Sequence, residues 1–144
     1  MSIEQNKTTV RRYFEEVLDQ GKLEVLDQLF AENIVFHRGD FAAPVLGLAG
    51  MRKIAGGVQE RYTSFKTTLH HLVAEGDMVA CRLSHDAVHR DYWKSRLGTH
   101  QLAGKPIQWY AHAHFRLHGG KVVEEWVARD ELGMALSVGV LQPG

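Results

Sequence analysis

Cysteine and proline are scarce in this chain. Of its 144 residues one is cysteine, Cys81, and three are proline. A lone thiol excludes an intrachain disulfide and a cysteine-based metal cluster. Cys81 sits in an apolar strand-like run and reads as a small buried hydrophobe. Neither sign of charge is in excess: 17 Lys+Arg balance 17 Asp+Glu. The balance argues against a broad basic face, and hence against nucleic acid as the main partner. There is no long apolar run, and the opening Met1-Ser2-Ile3-Glu4-Gln5-Asn6 is polar. No membrane span or signal peptide is expected, and the simplest expected location is cytoplasmic. A phosphate-cradling glycine loop, a Ser-His-Asp pattern, internal repeats and low-complexity segments are also missing.

What is present suits one globular domain spanning residues 1–144, with 44% apolar and 24% charged residues. Nine histidines are many for this length, and imidazole is both a proton carrier and a metal ligand near neutral pH. Residues 3–20 place Val10, Tyr13, Phe14, Val17 and Leu18 at helical spacing, closed by Gly21. A second short helix is expected over Leu23–Phe30, a short strand over Asn33–His37, a loop over Arg38–Gly50 and a third helix over Met51–Tyr62. Gly56-Gly57 inside that third helix would let another group approach closely.

From Lys66 the apolar period changes from 3.6 to 2. Thr67–Ala74 and Met78–His89 read as strands around the turn Glu75-Gly76-Asp77, with Val79, Cys81, Leu83, His85 and Ala87 sharing one face. Arg90–Pro106 reads as one long irregular segment, either a lid or a plain connector. Trp109–Leu117 and Lys121–Arg129 then form a hairpin through Gly119-Gly120, a pair suited to a turn with positive φ at both positions. An apolar tail, Leu132–Leu141, must dock on the body. Helices followed by a run of strands predict an α+β fold, with helices packed on one face of a curved sheet whose concave side lines a cavity.

The hairpin holds most of the candidate chemistry. With a regular turn, Ala113 pairs with Trp126 and Trp109 with Asp130, so these four share a face. If that face is the inner one, Asp130 is partly desolvated, its pKa rises, and it can move a proton between carbon and oxygen. Asp130 is equally well placed as an N-cap for the segment that follows. The alternation His112-x-His114 then points outward, to a subunit interface, unless a bulge reverses it. A metal would need a third donor that the local sequence lacks, so none is expected. His37, at the end of its strand, can reach the cavity mouth. Glu124-Glu125 beside Trp126 offers a second acid, His70-His71 read as structural, and His85 and His89 receive no role.

Four segments together resemble a known family. They are Val10-Arg11-Arg12-Tyr13-Phe14-Glu15-Glu16-Val17 with Gly21 and Leu26; Ile34-Val35-Phe36-His37; Ala74-Glu75-Gly76-Asp77-Met78-Val79-Ala80; and Phe115 through Trp126 running into Arg129-Asp130-Glu131-Leu132-Gly133. The chain is similar to the SnoaL-like polyketide cyclases of the nuclear transport factor 2-like superfamily. The resemblance implies a cone-shaped α+β barrel wrapped around N-terminal helices, a deep apolar pocket, and a homodimer. It implies ring closure by intramolecular aldol condensation with one aspartate as acid/base, no cofactor and no metal; that aspartate falls on Asp130. The family's helper histidine would fall on Ala113, which His112 and His114 flank. A small apolar or aromatic carbonyl ligand would lie against Tyr13, Trp109, Phe115 and Trp126, with Tyr110 or a histidine meeting the enolate oxygen. His112, His114 and Arg116 would lie in the dimer face, with Glu125 opposite His114. A non-catalytic small-molecule binding domain of the same fold is the alternative.

Overall fold

The computed structural model describes residues 2–144. Its first helix, α1 (Ile3–Arg12), opens with reciprocal hydrogen bonds: the Ser2 hydroxyl accepts from the Gln5 N–H and the Gln5 amide oxygen accepts from the Ser2 N–H. The helix continues without a break into a π-helical segment, Tyr13–Asp19. The wider turn brings Tyr13, Phe14, Val17 and Leu18 all into the interior, and such π segments recur at functional sites. Gly21, at φ 73°, ends the run.

A 3₁₀ turn (Leu23–Val25) and α2 (Leu26–Leu29) lead into β1 (Phe30–Arg38), β2 (Val45–Leu46) and α3 (Gly47–Arg61). The expected loop over 38–50 therefore holds a short edge strand and the start of a helix. Leu23 packs close over Gly56, and the Arg61 guanidinium lies over Gly57, so both glycines do admit a close neighbour. The strands β3 (Tyr62–Glu75), β4 (Met78–His89), β5 (Tyr92–Ser95), β6 (Gly98–Gln101), β7 (Pro106–His118) and β8 (Lys121–Arg129) follow, and α4 (Glu131–Ser137) is the docked tail. The segment expected to be irregular is a β5–β6 hairpin anchored by buried Trp93, with Leu102 buried just beyond it. Among the described residues no helix is long and apolar enough to cross a membrane.

Six strands form one mixed sheet in the order β2-β1-β8-β7-β4-β3, antiparallel except where β1 runs parallel to β8. The sheet bends into a cone but does not close. Its edges, β2 and β3, remain unpaired with each other, so the expected barrel is an open one. Extra residues unpaired in the ladder, Thr63 and His70 in β3 and Val123 in β8, supply local bends. The inner face follows strict alternation on β7: Ile107, Trp109, Ala111, Ala113, Phe115 and Leu117 are buried while their neighbours are exposed. Phe115 and Phe30 are fully covered, each worth about 2–3 kcal/mol of apolar transfer.

The Gly119-Gly120 turn forms as expected, with φ 58° and 81° and His118 opposite Lys121. Two pairs later the register departs from a regular hairpin. Leu117 faces Val122, but Arg116 faces Glu124, which leaves Val123 as the extra residue. Every later residue of β8 is shifted by one. His114 pairs with Trp126, Phe115 with Glu125 and Ala111 with Arg129. The inward set on β8 is therefore Glu125, Val127 and Arg129, rather than Trp126 and Asp130.

Candidate active site

The cone and the helices enclose a cavity of about 660 Å³ including its open mouth. The π segment contributes Tyr13, Phe14 and Leu18, and α3 contributes Ile54, Val58 and Arg61. The sheet contributes Phe36, Phe65, Leu83, His85, Trp109, Glu125 and Arg129, among others. The small side chains of Ala111 and Ala113 leave the space that larger residues on β7 would fill.

Three groups give the cavity its chemistry. Glu125 is 2% exposed, and one of its oxygens, Oε1, has no hydrogen-bond partner among the described residues. Burial pushes its pKa up to about 8, against the pull of Arg38. At neutral pH the side chain is therefore mainly the neutral acid, able to donate a hydrogen bond. Tyr13 is buried beside it. Burial, and then the Glu125 charge, raise the phenol well above its ordinary value, so it too stays protonated. His85 lies at another wall, packed on Phe65 (4.6 Å between rings), Trp109 (5.1 Å) and Phe14 (6.3 Å). Burial, helped by the Arg129 charge, lowers it to about 3, so it is a neutral imidazole.

Arginines line the cavity too. Arg38 and Arg129 converge on Asp40, at 2.6 and 3.1 Å. Burial alone would raise Asp40, but the two guanidiniums hold it below its ordinary value. Arg129 also approaches Glu131 at 3.8 Å, and Glu131 is held at 2.8 Å by Arg96 from the tip of the β5–β6 hairpin. An unbroken charge chain thus ties the hairpin to the wall of the cavity.

The residues expected to carry function divide between this cavity and the outside. Tyr13 and Trp109 line it. Phe115 is fully buried behind the wall, edge-on to Tyr13 and Phe14. Asp130 does not line it. The shifted register turns its side chain to solvent, where Oδ1 accepts from the Gly133 N–H at 2.9 Å and caps α4. A Cβ at position 133 would collide with that carboxylate. Trp126 also faces outward, stacked on His37 at 5.4 Å and 7°. His37 is bonded to Glu124 at 2.7 Å, and His37 and Trp126 line a separate outer depression with Phe41 and Pro44. Tyr110, His112 and His114 lie on the exposed outer sheet face, Tyr110 beneath the Arg82 guanidinium. Trp126, not Glu125, stands opposite His114. Among the described residues no three His, Cys, Asp or Glu side chains converge as metal ligands.

Reasoning from sequence offered Glu124-Glu125 as a second acid without choosing between the two, and gave His85 no role in the cavity. His85 had a usable signal: it alternates with Val79, Cys81 and Leu83 on the inner face of β4. Glu125 had none, because its direction depends on the bulge at Val123.

The architecture is an open α+β cone with helices over its concave face and a mainly apolar cavity that holds a few buried polar groups. The chain belongs to the SnoaL-like polyketide cyclase family, whose model matches residues 8–137. Solved structures share the fold over nearly the whole chain. IdmH, a proposed polyketide cyclase from Streptomyces antibioticus, is 24% identical with a TM-score of 0.79, over 94% of this chain and 99% of its own. AclR, a proposed hydroxylase from Streptomyces galilaeus, is 21% identical with a TM-score of 0.81, over 98% and 100%. An LEH-like epoxide hydrolase of M. tuberculosis is 13% identical with a TM-score of 0.75, over 96% and 92%. These neighbours are assigned different chemistries, so the fold alone does not select one. Compared by sequence with curated proteins, the chain has no match.

Proposed function

We propose that this protein is a cofactor-free enzyme of the polyketide-cyclase type. It would catalyse intramolecular aldol condensation, or a related proton transfer, on a small apolar or aromatic carbonyl compound held in the cavity. The observation that carries this reading is that Tyr13 and the buried Glu125, whose Oε1 has no partner among the described residues, line one cavity, where burial favours the neutral acid. When a proton leaves the carbon α to a carbonyl, negative charge grows on the oxygen. Neutral donors fixed in a dry site stabilise that charge without having to reorganise. A carboxylic acid kept neutral by an apolar site beside a tyrosine is a known way to build such an oxyanion hole. Trp109, Phe14 and Phe65 would hold the flat body of the ligand, and the Arg38–Asp40–Arg129 cluster would fix the mouth.

A second reading, a binding domain without turnover, is favoured by one observation: Asp130, the residue that matches the family's acid/base aspartate, is spent on a helix cap. A panel of aromatic β-polycarbonyl compounds separates the two readings. Quenching of Trp109 fluorescence reports binding, and mass spectrometry of the products reports turnover. The enzyme reading expects turnover that falls by about 10²–10³ in a Glu125→Leu variant, as loss of an oxyanion donor does, while quenching persists. Binding across the panel with no product would establish the second reading.

A further inference from the structure

The cavity has donors for a developing oxyanion, and a proton acceptor must complement them. Asp19, the last residue of the π segment, and Thr67 on β3 reach His85 from behind the cavity wall. The Thr67 hydroxyl lies 2.8 Å from Asp19 Oδ1 and 2.9 Å from His85 Nδ1. The Thr67 backbone N–H is shared between both Asp19 oxygens, at 3.0 Å each. We propose that Asp19 and Thr67 are positioning residues that hold His85 as the Nδ1–H tautomer and make its Nε2 the proton-accepting atom of the cavity.

The argument is a count of protons. A hydroxyl has one hydrogen to give, and an ionised carboxylate has none. Two hydrogens from Thr67, its N–H shared between both Asp19 oxygens and its hydroxyl on Oδ1, are the environment of an ionised carboxylate, and Lys66 adds its charge. Burial opposes them and raises Asp19 from its ordinary value. The Thr67 proton therefore points to Asp19, and the Thr67 oxygen must accept from His85. A neutral imidazole that donates through Nδ1 carries its lone pair on Nε2. That nitrogen makes no hydrogen bond among the described residues, and the ring lines the cavity. The arrangement is that of a base oriented by a half-buried carboxylate, with one hydroxyl interposed. The π segment is what makes it possible, because its wider turn buries Tyr13, Phe14, Val17 and Leu18 and still delivers Asp19 to β3.

This inference rests on the cyclase-type reading for its chemical step. The C–H bond α to the carbonyl breaks and its electrons form an enolate whose oxygen meets Tyr13 and Glu125. The proton passes to Nε2. The imidazolium keeps its Nδ1–H bond to Thr67, and the Asp19 charge works against the burial and the Arg129 charge that lower this ring to about 3, so the charged form exists only while the proton is in transit. When the new C–C bond forms, the acceptor carbonyl becomes an alkoxide and takes the proton back from Nε2.

Two-bond ¹H–¹⁵N correlation spectra of the histidine rings test the relay without a substrate. The expected result near neutral pH is a His85 pattern with Nδ1 protonated and Nε2 bare. In Thr67→Val, which keeps the branched shape but removes the hydroxyl, the pattern should move toward Nε2–H, and Thr67→Ser should restore it. Should Thr67→Val fail to fold, the wild-type and Thr67→Ser spectra still decide the point. A wild-type His85 protonated on Nε2, or a tautomer unchanged in folded Thr67→Val, would overturn the proposal. With a turned-over substrate, Thr67→Val should lower kcat by about tenfold to a hundredfold, part of what a positioned base contributes, with KM little changed. An unchanged kcat would overturn it as well. The expected tautomer with no turnover of any carbonyl compound supports the relay and counts against the cyclase reading alone.

Discussion

Glu125 should give the fold a pH dependence that a Glu125→Gln variant lacks. Burial moves this carboxyl from 4.5 to about 8, against the opposing charge of Arg38. A folded-state value above the unfolded one means that the native state keeps a proton the unfolded chain has released. The stability contributed by this group is therefore complete below the unfolded value. It falls as the pH climbs and is lost once the pH passes through about 8. At about 1.4 kcal/mol per pH unit, the interval from 4.5 to about 8 corresponds to roughly 5 kcal/mol. Relaxation and water entry around a buried charge reduce that ceiling to a few kcal/mol. Glutamine has the same shape and does not titrate. Its amide brings two N–H donors where the acid brings one O–H. In a site where Oε1 already lacks a partner, that costs about 1–3 kcal/mol. The variant should be less stable than the parent near pH 5 and more stable near pH 9, so the two curves cross. Urea unfolding of both proteins across that range measures the difference, in which titrations common to both cancel. A difference that stays flat would refute the burial of a protonated Glu125.

Asp130→Ala should cost about 1 kcal/mol through the lost cap, read as a lower melting temperature, with ligand affinity unchanged. A fall in turnover at unchanged melting would instead restore a catalytic role to Asp130. The outer sheet face, where Tyr110, His112, His114 and Arg116 project, is proposed as the homodimer interface. Light scattering at micromolar concentration should give the mass of two chains for the parent and of one for a Tyr110→Lys/His114→Glu double variant, and a monomeric parent would refute the interface.

Most of the architecture was legible because it follows from periodicity. The strands Met78–His89 and Lys121–Arg129 have the expected bounds, the Gly119-Gly120 turn forms, and the apolar stripe of the first helix faces the core. The π geometry over Tyr13–Asp19 was not legible. The same residues satisfy a helical stripe, and only their packing against β3 and the cavity shows the wider turn. The β5–β6 hairpin was missed because its strands are short and polar, with Trp93 as the single deep anchor. The cap was half legible: Asp130 three residues before Gly133 is the spacing at which a carboxylate meets a backbone N–H and a side chain at the later position would collide.

The candidate site turned on one residue. Lys121 through Trp126 can pair with β7 regularly or with one residue left over, and both pairings keep the Gly-Gly turn. The regular pairing buries Trp126 and, further along, Asp130. The bulged pairing buries Glu125 and Arg129. Alternation cannot choose between them, because Val122-Val123 is apolar at both positions and Glu124-Glu125 acidic at both. Tertiary packing chooses. A bulky indole opposite Ala113 would fill the cavity, whereas Glu125 and Arg129 fit beside Tyr13 and Asp40. Deleting Val123 tests this directly. Without Val123, Glu124 follows Val122 directly, and the pairs Leu117–Val122, Arg116–Glu124 and Phe115–Glu125 run on as a regular ladder. Glu125 and Arg129 stay inward and Trp126 outward, so the indole emission should not move and the cost is that of one lost local bend. In a ladder that was regular to begin with, the same deletion would slip every later side chain to the opposite face and carry Trp126 from the core to solvent. Val123→Ala keeps the extra residue and should cost about 1 kcal/mol, an ordinary substitution. A deletion variant whose Trp126 emission moves to the red, with Glu125 lost from the cavity, would show that the bulge does not set the inward face of β8.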